Sequence, residues 1–470
     1  MDGFLNNISE INAAVKSVLW GAPMLALLMG TGIWLTVRCG FFQFTHFGHA
    51  MKTILRPRKG RPASGRGAVS PFQAVTTALA ATIGTGNIAG VAGAIALGGP
   101  GALFWMWISA LVGMATKYAE VVLAVRFRKR NRRGDWVGGP MYYITTGLGR
   151  QWRWLAVLFA LFGALAAFGI GNMAQINTIA SSIAVLTRSF LPGASGTEPI
   201  IKAGVGVAIA ALSGLVLIGG LKRIGSVTER LIPAACIAYV LCCLAVIILH
   251  IERLGDVFRE ILDSAFHPYA IAGGAAGITA RQALRCGVSR GVFSNEAGMG
   301  SASIAHAAAD TDSPARQGLY GIFEVFVDTI LTCSLTGLAV LVSGVPVAYG
   351  QSTGAELTIG AFATTFGGRT ASVIVATGIT LFAGATILSW ALYGMRCAEY
   401  LLGPRVVLPY QVLYLLFTVL GAVLELSFVW DISETLNGLM AIPNLIAVFA
   451  LSGVVAGITR KYRGSLYIGK

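Results

Sequence analysis

Apolar windows of about 20 residues recur along the chain, separated by short polar or basic connections, and each is long enough to cross a bilayer as a helix. They fall at 17–37, 72–97, 101–125, 154–184, 203–219, 231–250, 272–309, 318–343, 370–397, 406–425 and 431–458. The pattern predicts an all-α polytopic membrane protein of eleven spans. Two windows, 72–97 and 272–309, are interrupted at mid-length by polar and glycine-rich residues, whereas the others run on unbroken.

Composition agrees. Of 470 residues, 55% are hydrophobic and 12% charged, against the quarter or so of charged residues usual in a soluble domain. A mean hydropathy of +0.73 excludes an ordinary cytosolic enzyme and a disordered chain alike. The formal charge of +15 reads as topology instead of nucleic-acid binding, because the basic residues sit in short clusters between apolar runs. With the N-terminus outside, the segments expected in the cytoplasm hold 25 of the 35 Lys and Arg, those outside hold 6 and the spans hold 4. The C-terminus is then inside. Seven cysteines without CxxC spacing read as small buried hydrophobes, and five scattered histidines offer no metal site. The first apolar run lacks a basic n-region and is long enough to span, so it is expected to stay as a helix. The basic run within 38–70 predicts a cytoplasmic loop, with Phe41 to Phe47 lying amphipathically on the inner surface.

Residues 1–470 are expected to form one transmembrane transporter domain. Its repeats are 72–250 and 271–458, five spans each behind one extra N-terminal helix, with a broken helix opening each repeat. Paired broken helices at matching positions of inverted halves point to the midplane site of a secondary transporter. In the first, Gly84 and Gly86 beside Asn87 free backbone groups that hydrocarbon cannot satisfy, so the break faces protein or a polar ligand. Gly90 and Gly93 instead read as a small-residue packing face.

The second break, Gly291 to Ser301, carries Glu296, which can coordinate a cation, relay a proton or pair with Arg290 or Arg285; the ion pair is the favoured reading. Arg281 and Arg285 are expected to point toward the outer interface or a carboxylate, while snorkelling or pairing is expected of Lys117, Glu120, Glu324 and Asp328. Asn172 and Gln175 share one face of an apolar span and must turn inward. Thr386, Trp390 and Tyr393 share a face of 370–397, where Trp390 suits a pocket wall better than an interfacial belt.

Several motifs, spread over nearly the whole chain, resemble those of the alanine/glycine:cation symporters, or sodium:alanine symporter family. They are Ala81 to Gly90, Gly98 to Gly113, Gly138 to Tyr142, Phe168 to Met173, Gly291 to Gly298 and Ala441 to Asn444. The resemblance implies a LeuT-type 5+5 inverted repeat that imports a small neutral amino acid with sodium across the inner (plasma) membrane. A proton-coupled or glutamine-preferring symporter is the alternative. It further implies substrate binding by Gly84, Thr85, Gly86, Asn87, Gln175, Thr386 and Trp390. Sodium would lie at Ala80, Ile83, Ala383 and Thr386, and no cofactor is expected besides that ion. Half-helix amides suit a carboxylate, and unwound carbonyls with a threonine hydroxyl suit desolvated sodium.

An intramembrane enzyme would need a nucleophile, base or metal constellation, and no HExxH or adjacent Ser/His or Cys/His arrangement is visible. A channel is the nearer rival, since broken helices also build filters.

Overall fold

A computed structural model describes residues 2–55, 68–191, 196–268, 278–351, 353–424 and 427–468. α1 (Asp2–Leu19) and α2 (Ala22–Arg38) meet at Gly21, and the short α3 (Phe42–Thr45) and α4 (Phe47–Leu55) follow. Phe42 is buried against Tyr118 while Phe44 is exposed, as an interfacial stretch requires. The run from Arg56 to Arg66 lies outside the described residues.

α5 (Pro71–Thr82) starts where Ser70 and Gln73 cap each other reciprocally and Pro71 occupies a position whose N–H has no helical partner. It is bent by 52° from its continuation, a π-helical turn over Gly86–Gly90 leading into α6 (Val91–Gly98). α7 (Gly101–Arg126) leads to a small antiparallel hairpin, β1 (Lys129–Arg130) with β2 (Trp136–Val137), which with an isolated bridge between Val69 and Ala309 is the β structure among the described residues. Then come α8 (Pro140–Tyr143), α9 (Arg153–Phe168), a π-helical turn at Gly169–Met173, α10 (Ala174–Phe190), α11 (Glu198–Ile218) and α12 (Gly220–Leu249).

α13 (Leu254–Phe266) connects to the second half, which opens with α14 (Ala280–Asn295) and α15 (Ser303–His306). α16 (Pro314–Val325) and α17 (Ser334–Ser343) are joined by π-helical Phe326–Cys333 and are followed by α18 (Ala355–Phe366) and α19 (Gly368–Leu402). α20 (Val407–Val423), α21 (Ser427–Ala450) and α22 (Ser452–Ile468) complete the chain.

Nine helices of the described residues are long and apolar enough to cross a membrane, and the bent α5–α6 pair makes a tenth. The expected eleventh, 272–309, is α14 with α15; α14 is only 16 residues long and carries Arg281, Arg285 and Arg290. Its helix ends at Asn295, so the second interruption begins at Glu296 and not at Gly291 as the glycine pattern suggested. The last window also divides: α21 stops at Ala450 and α22 is a separate helix. Exposed Leu212, Leu215, Ile237, Leu241, Leu413 and Leu416 give α11, α12 and α20 apolar outer faces suited to lipid.

Candidate functional site

At the first break Ile83 leaves the helix with extended dihedrals, and Gly84 passes so close to α19 and α10 that an added Cβ would stand 2.8 Å from Thr386 Oγ1 and 3.3 Å from Gln175 Oε1. Only glycine fits that approach. The Thr386 hydroxyl donates to the Ala80 carbonyl at 2.9 Å and also, one turn back in its own helix, to the Phe382 carbonyl at 3.1 Å. Gln175 spans the α9–α10 π-turn: its Nε2 donates to the Ile170 carbonyl at 3.0 Å and its Oε1 accepts from the Thr85 N–H at 3.4 Å.

Asn87 braces the break instead of lining the cavity beside it. Its Oδ1 accepts the Gly84 N–H at 3.0 Å, and its Nδ2 donates to Asp328 Oδ1 at 2.7 Å. The other Asp328 oxygen accepts from Ser294 at 2.9 Å and from Thr329 at 2.7 Å, so one buried carboxylate ties the first break to α14.

The second break turns at Glu296, a non-glycine residue in the left-handed region with φ 54°, followed by Gly298 at φ 98° and Gly300 at φ 78°. Glu120 Oε1 accepts the Gly298 and Gly300 N–H groups at 3.0 and 3.1 Å and the Asn444 amide at 2.5 Å. The favoured ion pair for Glu296 does not form, because Arg290 reaches Glu434 at 3.3 Å. Glu296 instead accepts from the Trp390 indole at 3.0 Å and from the Ser301 hydroxyl. Lys117, Glu120, Glu324 and Asp328 are fully buried, so none snorkels. Lys117 pairs with Glu324 at 3.1 Å, and His306 adds a contact to Glu324 at 3.2 Å. Arg281 and Arg285 are exposed.

Two cavities meet here. A vestibule of about 820 Å³ is lined by Thr85, Gly86, Gly90, Gly93, Phe293 and Glu434 among others; Gly90 and Gly93 thus face this space instead of packing a helix. Beneath it a chamber of about 20 Å³ is bounded by Gly84, Gly86, Gln175, Phe293, Glu296 and Trp390, with Asn437 on its α21 side. Such a volume holds about one water. Phe293 and Gly86 border both spaces, so they form part of the wall between.

Of the expected substrate residues, Gly84, Gly86, Gln175 and Trp390 therefore border the chamber and Thr85 the vestibule. Thr386 and Asn87 stand behind the break, and Asn172 goes to an interhelical bond with the Tyr414 carbonyl at 2.6 Å. Of the expected sodium residues, Ala80 and Thr386 are in contact, while Ile83 and Ala383 are buried within the same α5–α19 packing. Sequence reasoning missed Phe293 and Asn437. Phe293 sits inside a motif already noted, whereas Asn437 is a lone amide in an apolar helix and gives no local signal.

The sequence model of the sodium:alanine symporter family matches residues 5–470. An uncharacterized transporter of Haemophilus influenzae is 46% identical over 459 residues, covering 97% of this chain and 96% of its own. The sodium/alanine symporter AgcS of Methanococcus maripaludis is 44% identical over 459 residues, covering 97% of each. Among solved structures, MhsT in complex with L-phenylalanine superposes with a TM-score of 0.58 at 13% identity, over 82% of this chain and 90% of that one. That likeness fixes the fold as the LeuT type.

Proposed function

This chain belongs to the sodium:alanine symporter family, a transporter and not an enzyme, and we propose that it imports a small neutral amino acid, alanine or glycine, down the sodium gradient by alternating access around its two breaks. The orientation we assign is N-terminus outside, eleven spans and C-terminus inside, in the inner (plasma) membrane.

The observation that carries this reading is the Thr386 hydroxyl on the Ala80 carbonyl, directly behind Gly84. A hydroxyl and freed carbonyls gathered at one point, with no carboxylate among them, are the neutral oxygen ligands a desolvated monovalent cation needs. Sodium between Ala80, Ile83, Ala383 and Thr386 would draw α5 against α19 and set the Gly84 to Gly86 backbone, on which the substrate's carboxylate would rest. Ion and substrate would then share one segment and bind cooperatively. Trp390 and Ile170 border a chamber of only about 20 Å³, which favours a short substrate side chain over a long one.

Uptake of labelled alanine and glycine into proteoliposomes tests this. Saturable accumulation that collapses when the sodium gradient is removed is the expected result. Unsaturable flux without a gradient of either solute would indicate a channel.

A further inference from the structure

Besides Glu296 and the indole of Trp390, three polar side chains line the chamber beside the first break, and their hydrogen bonds divide unequally. Thr82 turns its hydroxyl back to the Ala78 and Leu79 carbonyls of its own helix, at 3.4 and 3.3 Å. Gln175 uses both ends of its amide. Ser301, behind Glu296, donates to that carboxylate, as Trp390 does. Asn437 differs: it is 1% exposed, it borders the chamber, and its Oδ1 has no hydrogen-bond partner among the described residues. A buried acceptor without a donor is costly, and a binding site is where that cost is recovered, by a ligand that brings the donor.

Asn437 is also aimed there by its helix. One turn earlier, Glu434 is held by Lys16 at 2.6 Å and Arg290 at 3.3 Å, and the Trp20 indole donates to the Glu434 carbonyl at 3.1 Å. On the next residue, Gly438, an added Cβ would stand 3.3 Å from the Trp20 ring nitrogen. α21 is thereby fixed in rotation, Glu434 facing the vestibule and Asn437 the chamber below it.

We propose that Asn437 touches the substrate: its Oδ1, together with the Glu296 carboxylate, forms an acceptor wall that receives the ammonium group of a zwitterionic α-amino acid. This rests on the transport reading above and extends it. Gly84 and Gly86 of the first break border the same chamber as Asn437 and Glu296; the half-helix that starts there suits the carboxylate, and the two acceptors suit the ammonium group. A zwitterion satisfies both walls, whereas a monocarboxylate of the same size satisfies one.

The test is sodium-dependent binding of labelled alanine to the purified full-length protein, with propionate, which is alanine without its ammonium group, as competitor. Asn437→Leu is expected to weaken alanine by roughly tenfold to a hundredfold, the range for a hydrogen bond to a charged group. Asn437→Asp, which keeps an acceptor, is expected to recover most of that loss. In Asn437→Ala, should the leucine variant fail to fold, the parent's preference for alanine over propionate is expected to narrow by a similar factor. Sodium's own stabilisation of the protein, read as the rise in Tm without amino acid, is expected to match the parent throughout. Parent-like alanine binding in the leucine or alanine variant would overturn the proposal, and so would an aspartate variant as weak as leucine, which would make the amide a donor. If the parent itself binds no small neutral amino acid in sodium, the transport reading fails instead, whatever Asn437 does.

Discussion

Thr386 donates one hydroxyl to two carbonyls, and only the bond to Ala80 crosses between helices. With a sodium ion at this point the oxygen becomes a ligand, and Thr386→Ala removes it while leaving the Phe382 carbonyl to its own helix. Sodium affinity is expected to fall by roughly threefold to tenfold, the value of one modest polar interaction, and alanine affinity to fall chiefly at low sodium. Thr386→Ser is expected to be nearly normal. Alanine titrations at several sodium concentrations decide; a parent-like sodium dependence in the alanine variant would remove Thr386 from the ion site. Asn87 makes a different case, because its amide holds both the Gly84 N–H and Asp328. Asn87→Ala leaves a buried donor and a carboxylate oxygen unpaired, so a loss of about 2–5 kcal/mol of stability is expected along with loss of binding. Parent-like Tm with weakened alanine binding would make Asn87 a direct substrate contact instead. The importance of Asn87 was legible in the sequence, since packing has no use for an amide beside two glycines. Its partner was not, because Asp328 lies 241 residues away and only the fold brings them together.

Hydropathy located the long helices because each apolar window must bury against lipid or protein whatever its neighbours do. It failed where that condition relaxes. α13, α18 and α22 are shorter than 18 residues and read as connections or as the end of a span, while α14 is polar because Arg281 and Arg285 are exposed and Arg290 lines the vestibule. The second break was legible as a glycine cluster but misplaced by several residues, since Gly291 packs against Ser109 and Met106 inside an intact helix. The turn itself depends on Gly298 and Gly300, both left-handed, whose amides Glu120 holds. At Gly300 a Cβ would stand 2.5 Å from Pro140 and 2.8 Å from Asn444. Gly300→Ala is therefore expected to cost more than the roughly 1–3 kcal/mol of backbone strain alone, lowering Tm and abolishing transport. Gly30→Ala in α2, where an added methyl meets nothing within 4 Å, serves as the control and is expected to match the parent. Equal Tm values for the two variants would mean that the second break tolerates repacking.

At the scale of the molecule, the large vestibule lies on one side of the breaks, and the other side is closed by contacts between the ends of the two broken helices. Val69, just before α5, donates to the Ala308 carbonyl at 3.1 Å and accepts from the Asp310 N–H at 2.8 Å. Arg128 stacks on Trp136 at 4.2 Å and donates to the carbonyls of Ala307, Ala309 and Thr311 at 3.2, 2.5 and 2.8 Å. Under the proposed alternating access, these bonds exist only while those ends stay together, so they favour the state in which the vestibule is open. Opening that side in the proposed cycle would break them, and an equilibrium between two such states shifts by the free energy that distinguishes them. Arg128→Ala removes three charge-assisted bonds from one state alone. A shift of about 1.4 kcal/mol, tenfold in the ratio of states, is a modest fraction of what three such bonds contribute. In a cysteine-free background, Ser181→Cys on the vestibule wall reports the open state through its rate of labelling by an impermeant thiol reagent. Arg128→Ala is expected to slow that labelling severalfold. Sodium, if it binds between α5 and α19 in the open state, is expected to restore part of the rate. Labelling that is unchanged by Arg128→Ala and insensitive to sodium would mean that the Val69 and Arg128 contacts do not set the balance between the two states, and that closure is governed from the Lys16, Glu434 and Arg290 cluster at the vestibule instead.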